Sequence, residues 1–232
     1  KTRHIEYQMC RDKHGNAVHL FERECSIQRR NQKLIEQTPS PIVDQAKREE
    51  IGELVVKAAE AVDYTNLGTA EFLRADNGEF YFIEINARLQ VEHPISEMVS
   101  GLDFVKLQLD IANGEPLPFK QNDLKMNGYA IECRINAEDT FLDFAPSTGP
   151  VPYVTIPSGP NVRCDTYLYP GCTVSPFYER ITSLSNDNER KHYTERFVVK
   201  ISRSKEEDNS EFALDFDPLS DNTTNLSYVK KL

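Results

Sequence analysis

Gly68-Thr69-Ala70-Glu71-Phe72-Leu73-Arg74-Ala75-Asp76-Asn77-Gly78-Glu79-Phe80-Tyr81-Phe82-Ile83-Glu84-Ile85-Asn86 reads as two alternating runs around an Asn-Gly pair. Asn-Gly between such runs is a strong hairpin signal, because both residues accept the positive φ of a tight turn. With Asn77 and Gly78 as the loop, Glu71 faces Glu84. Opposed like charges destabilise a strand pair, and a divalent cation would offset the repulsion. Asn86, two residues on, shares that face and can add an amide oxygen. Two carboxylates and an amide are hard oxygen donors that suit Mg2+ or Mn2+ bridging phosphates. The competing reading is a solvated pair in a register shifted by one residue. Leu73, Phe80 and Phe82, expected on the face of the glutamates, speak against a simply polar face.

Directly downstream lies Arg88-Leu89-Gln90-Val91-Glu92-His93-Pro94. In extended geometry Arg88, Gln90 and Glu92 project to one side, continuing the face of Glu84 and Asn86. A guanidinium beside an amide and a carboxylate can cradle a small planar oxyanion, the carboxylate taking a proton. A surface strand with an internal Arg–Glu pair is the alternative. His93, preceding a proline, reads as structural.

Upstream, Arg3 to Met9 alternates as a half-buried strand, with Ile5, Tyr7 and Met9 on one face and Glu6 and Gln8 on the other. A turn cluster at Asp12–Asn16 and a second strand over Ala17–Ser26 complete a hairpin. A basic and amide-rich run, Gln28 to Lys33, follows. Residues 43–63 predict a helix with a stripe of Ile51, Leu54, Val55, Ala58 and Val62. A second helix fits Asp103–Ala112, ending near Asn113-Gly114. Tyr129–Asn136 is another strand, after which Pro and Gly recur to Pro176 as in a small β-rich subdomain. Phe197–Ile201 reads as a strand, and the acidic, amide-rich stretch from Glu206 as part of a mobile tail.

The chain of 232 residues has room for one large domain or two small ones. Its net charge of −10 excludes a cationic nucleic-acid coat or a basic membrane-surface protein. No apolar run approaches the ~20 residues needed to span a bilayer. Five scattered cysteines without a CxxC pair point to reduced thiols and a cytoplasmic setting. Because it opens on Lys1, directly in a strand, the chain is expected to be a piece of a longer one, cut inside a domain.

Four stretches together resemble biotin carboxylase, the ATP-grasp component of the biotin-dependent acyl-CoA, pyruvate and related carboxylases. They are Arg3-His4-Ile5-Glu6, Glu24 to Lys33, Phe82 to Pro94, and Glu132-Cys133-Arg134-Ile135-Asn136-Ala137-Glu138-Asp139. The similarity runs from about residue 1 to 181. It implies an α+β fold: the C-terminal portion of an ATP-grasp domain over 1–126, an antiparallel sheet with helices. A partial, β-rich biotin carboxylase C-terminal subdomain would follow over 127–181, and a divergent tail over 182–232.

The resemblance also implies roles. Glu71, Glu84 and Asn86 would hold the divalent metals on ATP, and His4, Gln28, Asn31 and Leu73 would line the nucleotide site. Lys33, Arg88, Gln90, Val91 and Glu92 would bind bicarbonate, with Glu92 as its base, and Arg134 would stabilise the enolate-like oxygen of biotin. Asn31 stands where many members of the family have His. The implied reaction is ATP-dependent carboxylation of biotin through carboxyphosphate, served by a biotin carboxyl carrier protein or domain and a carboxyltransferase, within a homodimer. The family's amino-terminal half and glycine-rich loop would lie upstream of Lys1, and no Met-Lys-Met biotin-attachment site is present. Two other readings are a truncated, non-catalytic interaction module and an ATP-grasp ligase of the carbamoyl-phosphate type.

Overall fold

The structure, a computed structural model, describes residues 2–166, 168–174 and 194–201. Among the described residues, contacts divide the chain into two units, the first comprising residues 2–133 and 198–201 and the second opening at Arg134 and including 194–197.

In the first unit, β1 (Arg3–Arg11), β2 (Ala17–Arg29) and β3 (Gln32–Thr38) form a meander. Arg30 and Asn31 make the two-residue turn from β2 to β3, both at positive φ (52° and 64°), a conformation that Asn tolerates well. Then come α1 (Gln45–Ala61), β4 (Asn66–Arg74), β5 (Phe80–Asn86), α2 (His93–Ser100), α3 (Phe104–Ala112) and β6 (Tyr129–Asn136). The sheet order is β6-β3-β2-β1-β4-β5, and the ladders β1–β2, β1–β4, β2–β3, β3–β6 and β4–β5 are antiparallel.

Contrary to the half-buried expectation, β1 is buried on both faces from Ile5 to Met9. Ile5, Tyr7 and Met9 pack with Ala70 and Phe72 under α1. On the opposite face Cys10, Leu67, Val18 and Leu20 pack with Phe104, Leu107 and Ile111 of α3. Central Glu6 and Gln8 are fully buried, which their polar character concealed.

Strand β2 carries an extra residue. Tyr7 pairs with Glu22 but Met9 with His19, and Phe21, at φ 67°, absorbs the difference. This β-bulge lets Val18 and Leu20 share a face with Arg23 despite their opposite sequence parity.

Helix α1 starts where Asp44 accepts from the Lys47 N–H at 2.8 Å. Its buried residues are Arg48, Ile51, Gly52, Val55 and Ala59, whereas Leu54, Ala58 and Val62 of the expected stripe are exposed. The inner face is partly polar or small because it meets buried polar partners: Arg48 clamps Glu22 with two bonds of 2.7 and 2.8 Å, and Gly52 abuts the His19 ring. Helix α3 follows its expected bounds, capped by Asp103 at 2.8 Å from the Lys106 N–H. Helix α2 stood in no sequence expectation. Pro94 in its first turn and Gly101 at φ 75° just beyond its end were the available signals.

The second unit contains short strands β7 (Glu138–Asp139), β8 (Ala145–Pro146), β9 (Gly149–Pro150), β10 (Val162–Asp165) and β11 (Thr173–Val174), with β7 paired to β8 and β9 to β11. Strand β12 (Thr194–Ile201) includes the expected strand at Phe197–Ile201. The mobile tail expected over 182–232 otherwise lies outside the described residues.

Candidate active site

Antiparallel register sets a row of charge across the sheet. Arg23 on β2 pairs with Glu6 on β1, Glu6 with Glu71 on β4, and Glu71 with Glu84 on β5. Three glutamates therefore stand side by side, one more than the hairpin alone suggests. Their compensation is uneven. Arg23 Nε donates to Glu6 Oε1 at 2.5 Å, and Lys33 Nζ donates to Glu6 Oε2 at 2.5 Å, Glu92 Oε1 at 2.6 Å and Glu71 Oε1 at 3.4 Å. Glu84, at the far end of the row, is exposed. Its hydrogen-bond partner is Asn86, whose Nδ2 reaches Glu84 Oε1 at 3.1 Å and Glu71 Oε1 at 2.9 Å.

The titration behaviour follows from these contacts. Burial would push the Glu71 carboxyl up, but the His4 hydrogen bond, the Lys33 charge and the Gln90 amide outweigh it and hold it at about 2. Glu6 is also held below the ordinary carboxylate range, against its burial, by Arg23 and Lys33. Burial disfavours the Lys33 cation, yet the surrounding acids, Glu6 foremost, push its pKa up. Both carboxylates and the ammonium are thus charged at neutral pH.

The donor set at the Glu84 end fits a hard divalent cation. An amide NH2 inserted between two carboxylates occupies the position of a positive group, and turning that amide over presents its oxygen instead. A second trio, His4, Glu6 and Cys25, also places ligand atoms within 4.8 Å of one another. There both Glu6 oxygens are held by Arg23 and Lys33, and burial pushes the Cys25 thiol pKa well up, so the trio lacks available ligands.

The hairpin behind this pairing differs from its expected form. Its loop is three residues, Asp76-Asn77-Gly78, closed by Ala75 N–H to Glu79 O at 2.9 Å, with Gly78 at φ 88°. That loop alone would set Glu71 opposite Ile83. An extra residue on β5 shifts the ladder between Phe72–Phe82 and Glu71–Glu84 and restores the glutamate pair. The same shift carries Phe80 and Phe82 to the other face, where both rings meet Phe72 edge-on at 6.1 and 5.8 Å. They do not share the face of the glutamates, as the alternation suggested.

The segment Arg88–Glu92 is a loop and turn entering α2, not an extended strand. Gln90 is buried, with Nε2 donating to Glu71 Oε1 at 2.6 Å. Glu92 is 3% exposed and occupies the N-cap position of α2. Arg88 is exposed and makes no hydrogen bond or ion pair among the described residues. Val91 is 38% exposed. The structure therefore brings Lys33, Gln90 and Glu92 together through turn geometry rather than strand alternation.

Among the expected nucleotide residues, His4 Nε2 lies 2.7 Å from Glu71 Oε2, and Gln28 Nε2 lies 3.2 Å from His4 Nδ1. Donation by Gln28 to Nδ1 leaves the Nε2–H for Glu71. Leu73, 39% exposed, is cross-strand neighbour to His4. Asn31 is exposed at the tip of the β2–β3 turn. Arg134 lies on β6 in the second unit and is half-buried. Sequence reasoning missed Glu6 and Arg23. Glu6 lay within a quoted motif, but its register against Glu71 could not be read locally.

Comparison with known proteins gives matches over both parts of the chain. The family of the carbamoyl-phosphate synthase L chain, ATP binding domain, matches residues 1–120, and the biotin carboxylase C-terminal domain matches residues 132–186. A pyruvate carboxylase subunit of Methanothermobacter thermautotrophicus is 51% identical over 183 residues, covering 79% of this chain and 37% of that relative. A biotin carboxylase of Nostoc is 49% identical over 181 residues, covering 78% and 40%. Among solved structures, the biotin carboxylase domain dimer of Hydrogenobacter thermophilus 2-oxoglutarate carboxylase, with MgADP, ADP and bicarbonate, superposes with a TM-score of 0.79 at 44% identity. That match covers 87% of this chain and 42% of the other. The chain thus spans about two fifths of the length of the relatives it matches. The match over residues 1–120, more than half of the chain, places it in the family of the carbamoyl-phosphate synthase L chain, ATP binding domain, and the second match and these relatives place it among the biotin carboxylases.

Proposed function

We propose that the protein carrying this chain carboxylates biotin on a carrier, using ATP and bicarbonate, and that this chain supplies the metal-facing and bicarbonate-facing residues. The observation that carries this reading is the uneven compensation of the glutamate row. Cations neutralise its Glu6 end, while Glu84 retains only an amide, leaving a place for a divalent ion. Glu71, Glu84 and Asn86 would hold Mg2+ or Mn2+, which when bound neutralises charge on the ATP phosphates.

The chain's own groups account for the remaining steps. Lys33 and Arg88 supply positive charge for bicarbonate, and the Arg88 guanidinium can offer it paired N–H groups. The Glu92 carboxylate takes the bicarbonate proton, so that its oxygen can attack the terminal phosphate of ATP. The resulting carboxyphosphate breaks down to CO2 and phosphate beside biotin. Arg134 answers charge on the biotin ureido oxygen. His4, Gln28, Asn31 and Leu73 remain assigned to the nucleotide, and Val91 to bicarbonate.

A biotin carboxyl carrier and a carboxyltransferase are the proposed partners, in a homodimer. The scattered cysteines support a cytoplasmic location, and the domain division 1–126, 127–181 and 182–232 is retained as part of this proposal. The family matched at residues 1–120 taken alone would leave a carbamoyl-phosphate-forming ligase open. The second match, over 132–186, favours the biotin reading.

The test is Glu92→Gln in the full-length protein. Bicarbonate-dependent ATP cleavage should fall about 10²–10⁴-fold, with ATP binding retained. Unchanged turnover would remove Glu92 as the base.

A further inference from the structure

We propose that Arg23 is a positioning residue for bicarbonate, locking Gln90 and helix α2, and with it Glu92, against the sheet. This rests on the function proposed above. Arg23 is fully buried and reaches the site because the extra residue at Phe21 turns it onto the same face as Glu6.

A guanidinium has five N–H donors, and Arg23 has five acceptors. Nε bonds Glu6 Oε1 at 2.5 Å, Nη1 bonds Gln8 Oε1 at 2.8 Å and Ser96 Oγ at 3.0 Å, and Nη2 bonds Gln90 Oε1 at 2.9 Å and Thr69 Oγ1 at 3.4 Å. Neutralising Glu6 needs only one of them. The other four reach uncharged groups, and two of those, Gln90 and Ser96, belong to the segment that delivers the bicarbonate residues.

Because Arg23 occupies the Gln90 oxygen, the amide must turn its Nε2 to Glu71 Oε1, which it does at 2.6 Å. Ser96 lies four residues after Glu92, one turn into α2, so its bond to Arg23 fixes the helix whose N-cap is Glu92. A lysine would keep the charge but could not supply this fork of donors.

The experiment uses the full-length protein with Arg23→Lys and, separately, Ser96→Ala, which cuts the link to α2 without altering charge. KM for bicarbonate and for ATP are measured, with amide hydrogen exchange across residues 93–100 and 104–112. Arg23→Lys should raise the bicarbonate KM about ten- to a hundredfold, a range typical of small misplacements, and leave the ATP KM within about twofold. Ser96→Ala should shift it the same way, and exchange should quicken in α2 but not α3. Folded variants with an unchanged bicarbonate KM, or with both KM values rising together, would overturn the proposal. If Arg23→Lys does not fold, Ser96→Ala decides alone. A wild-type protein without bicarbonate-dependent turnover would refute the parent function instead. Exchange confined to α2 would then still uphold the hold of Arg23 on that helix, and unchanged exchange would overturn it.

Discussion

Glu84→Gln separates the proposed metal role from the fold. Glu84 is exposed and accepts from Asn86 Nδ2 at 3.1 Å, an acceptor role that the glutamine oxygen retains. Removing one of two opposed charges also relieves repulsion with Glu71. Without metal, the substitution should therefore change stability by no more than about 0.5 kcal/mol. Under saturating ion the outcome differs. An ion at 100 times its Kd stabilises the native state by about 2.7 kcal/mol, and a hundredfold weaker site at the same concentration gives only about 0.4 kcal/mol. Urea unfolding of the full-length protein with and without MnCl2 reads this difference of about 2 kcal/mol directly. Full retention of the Mn2+ response in Glu84→Gln would refute the assignment. So would a metal-free loss of more than about 2 kcal/mol, because it would show Glu84 to be a structural residue.

Glu71 should show the opposite balance. Its folded pKa of about 2 lies below the ordinary 4.5, so its contribution is fully present above about pH 4.5 and is lost as pH falls through about 2. The stability gap between wild type and Glu71→Gln should be about 3 kcal/mol at pH 6 and close towards pH 2, followed by urea midpoints; a gap independent of pH would contradict the ion-pair account. At Gly52 helix propensity and packing disagree. Alanine in a helix interior normally gains about 1 kcal/mol over glycine, but here the added Cβ would lie 2.5 Å from His19 Nε2. His19 is buried against the Tyr7 and Phe21 rings, so Gly52→Ala should cost about 1–3 kcal/mol, and a raised Tm would show that His19 can yield.

The Glu71–Glu84 pair shows how a correct expectation can rest on compensating differences. A two-residue loop with a regular ladder and a three-residue loop with one extra residue on β5 both bring the glutamates together. Only the second leaves Phe80 and Phe82 on the opposite face. Helix α3 was legible because its cap and apolar spacing are local. The inner face of α1 was legible only at Ile51 and Val55, because Arg48 and Gly52 become interior residues only beside Glu22 and His19. Strand β1 misled for the same reason: alternation marks the polar face of a strand but not whether another layer covers it.

The sequence by itself determined the presence of the hairpins, helix α3, the facing of Glu71 and Glu84 and, through its motifs, the family. These depend on residues within one turn or one strand, or on runs of identities that survive without coordinates. Tertiary structure alone decided that Glu6 extends the acidic row and that Arg23 reaches it. Each depends on register between strands distant in sequence. Because side-chain direction alternates every residue, a single bulge such as that at Phe21 reverses which face receives every charge beyond it.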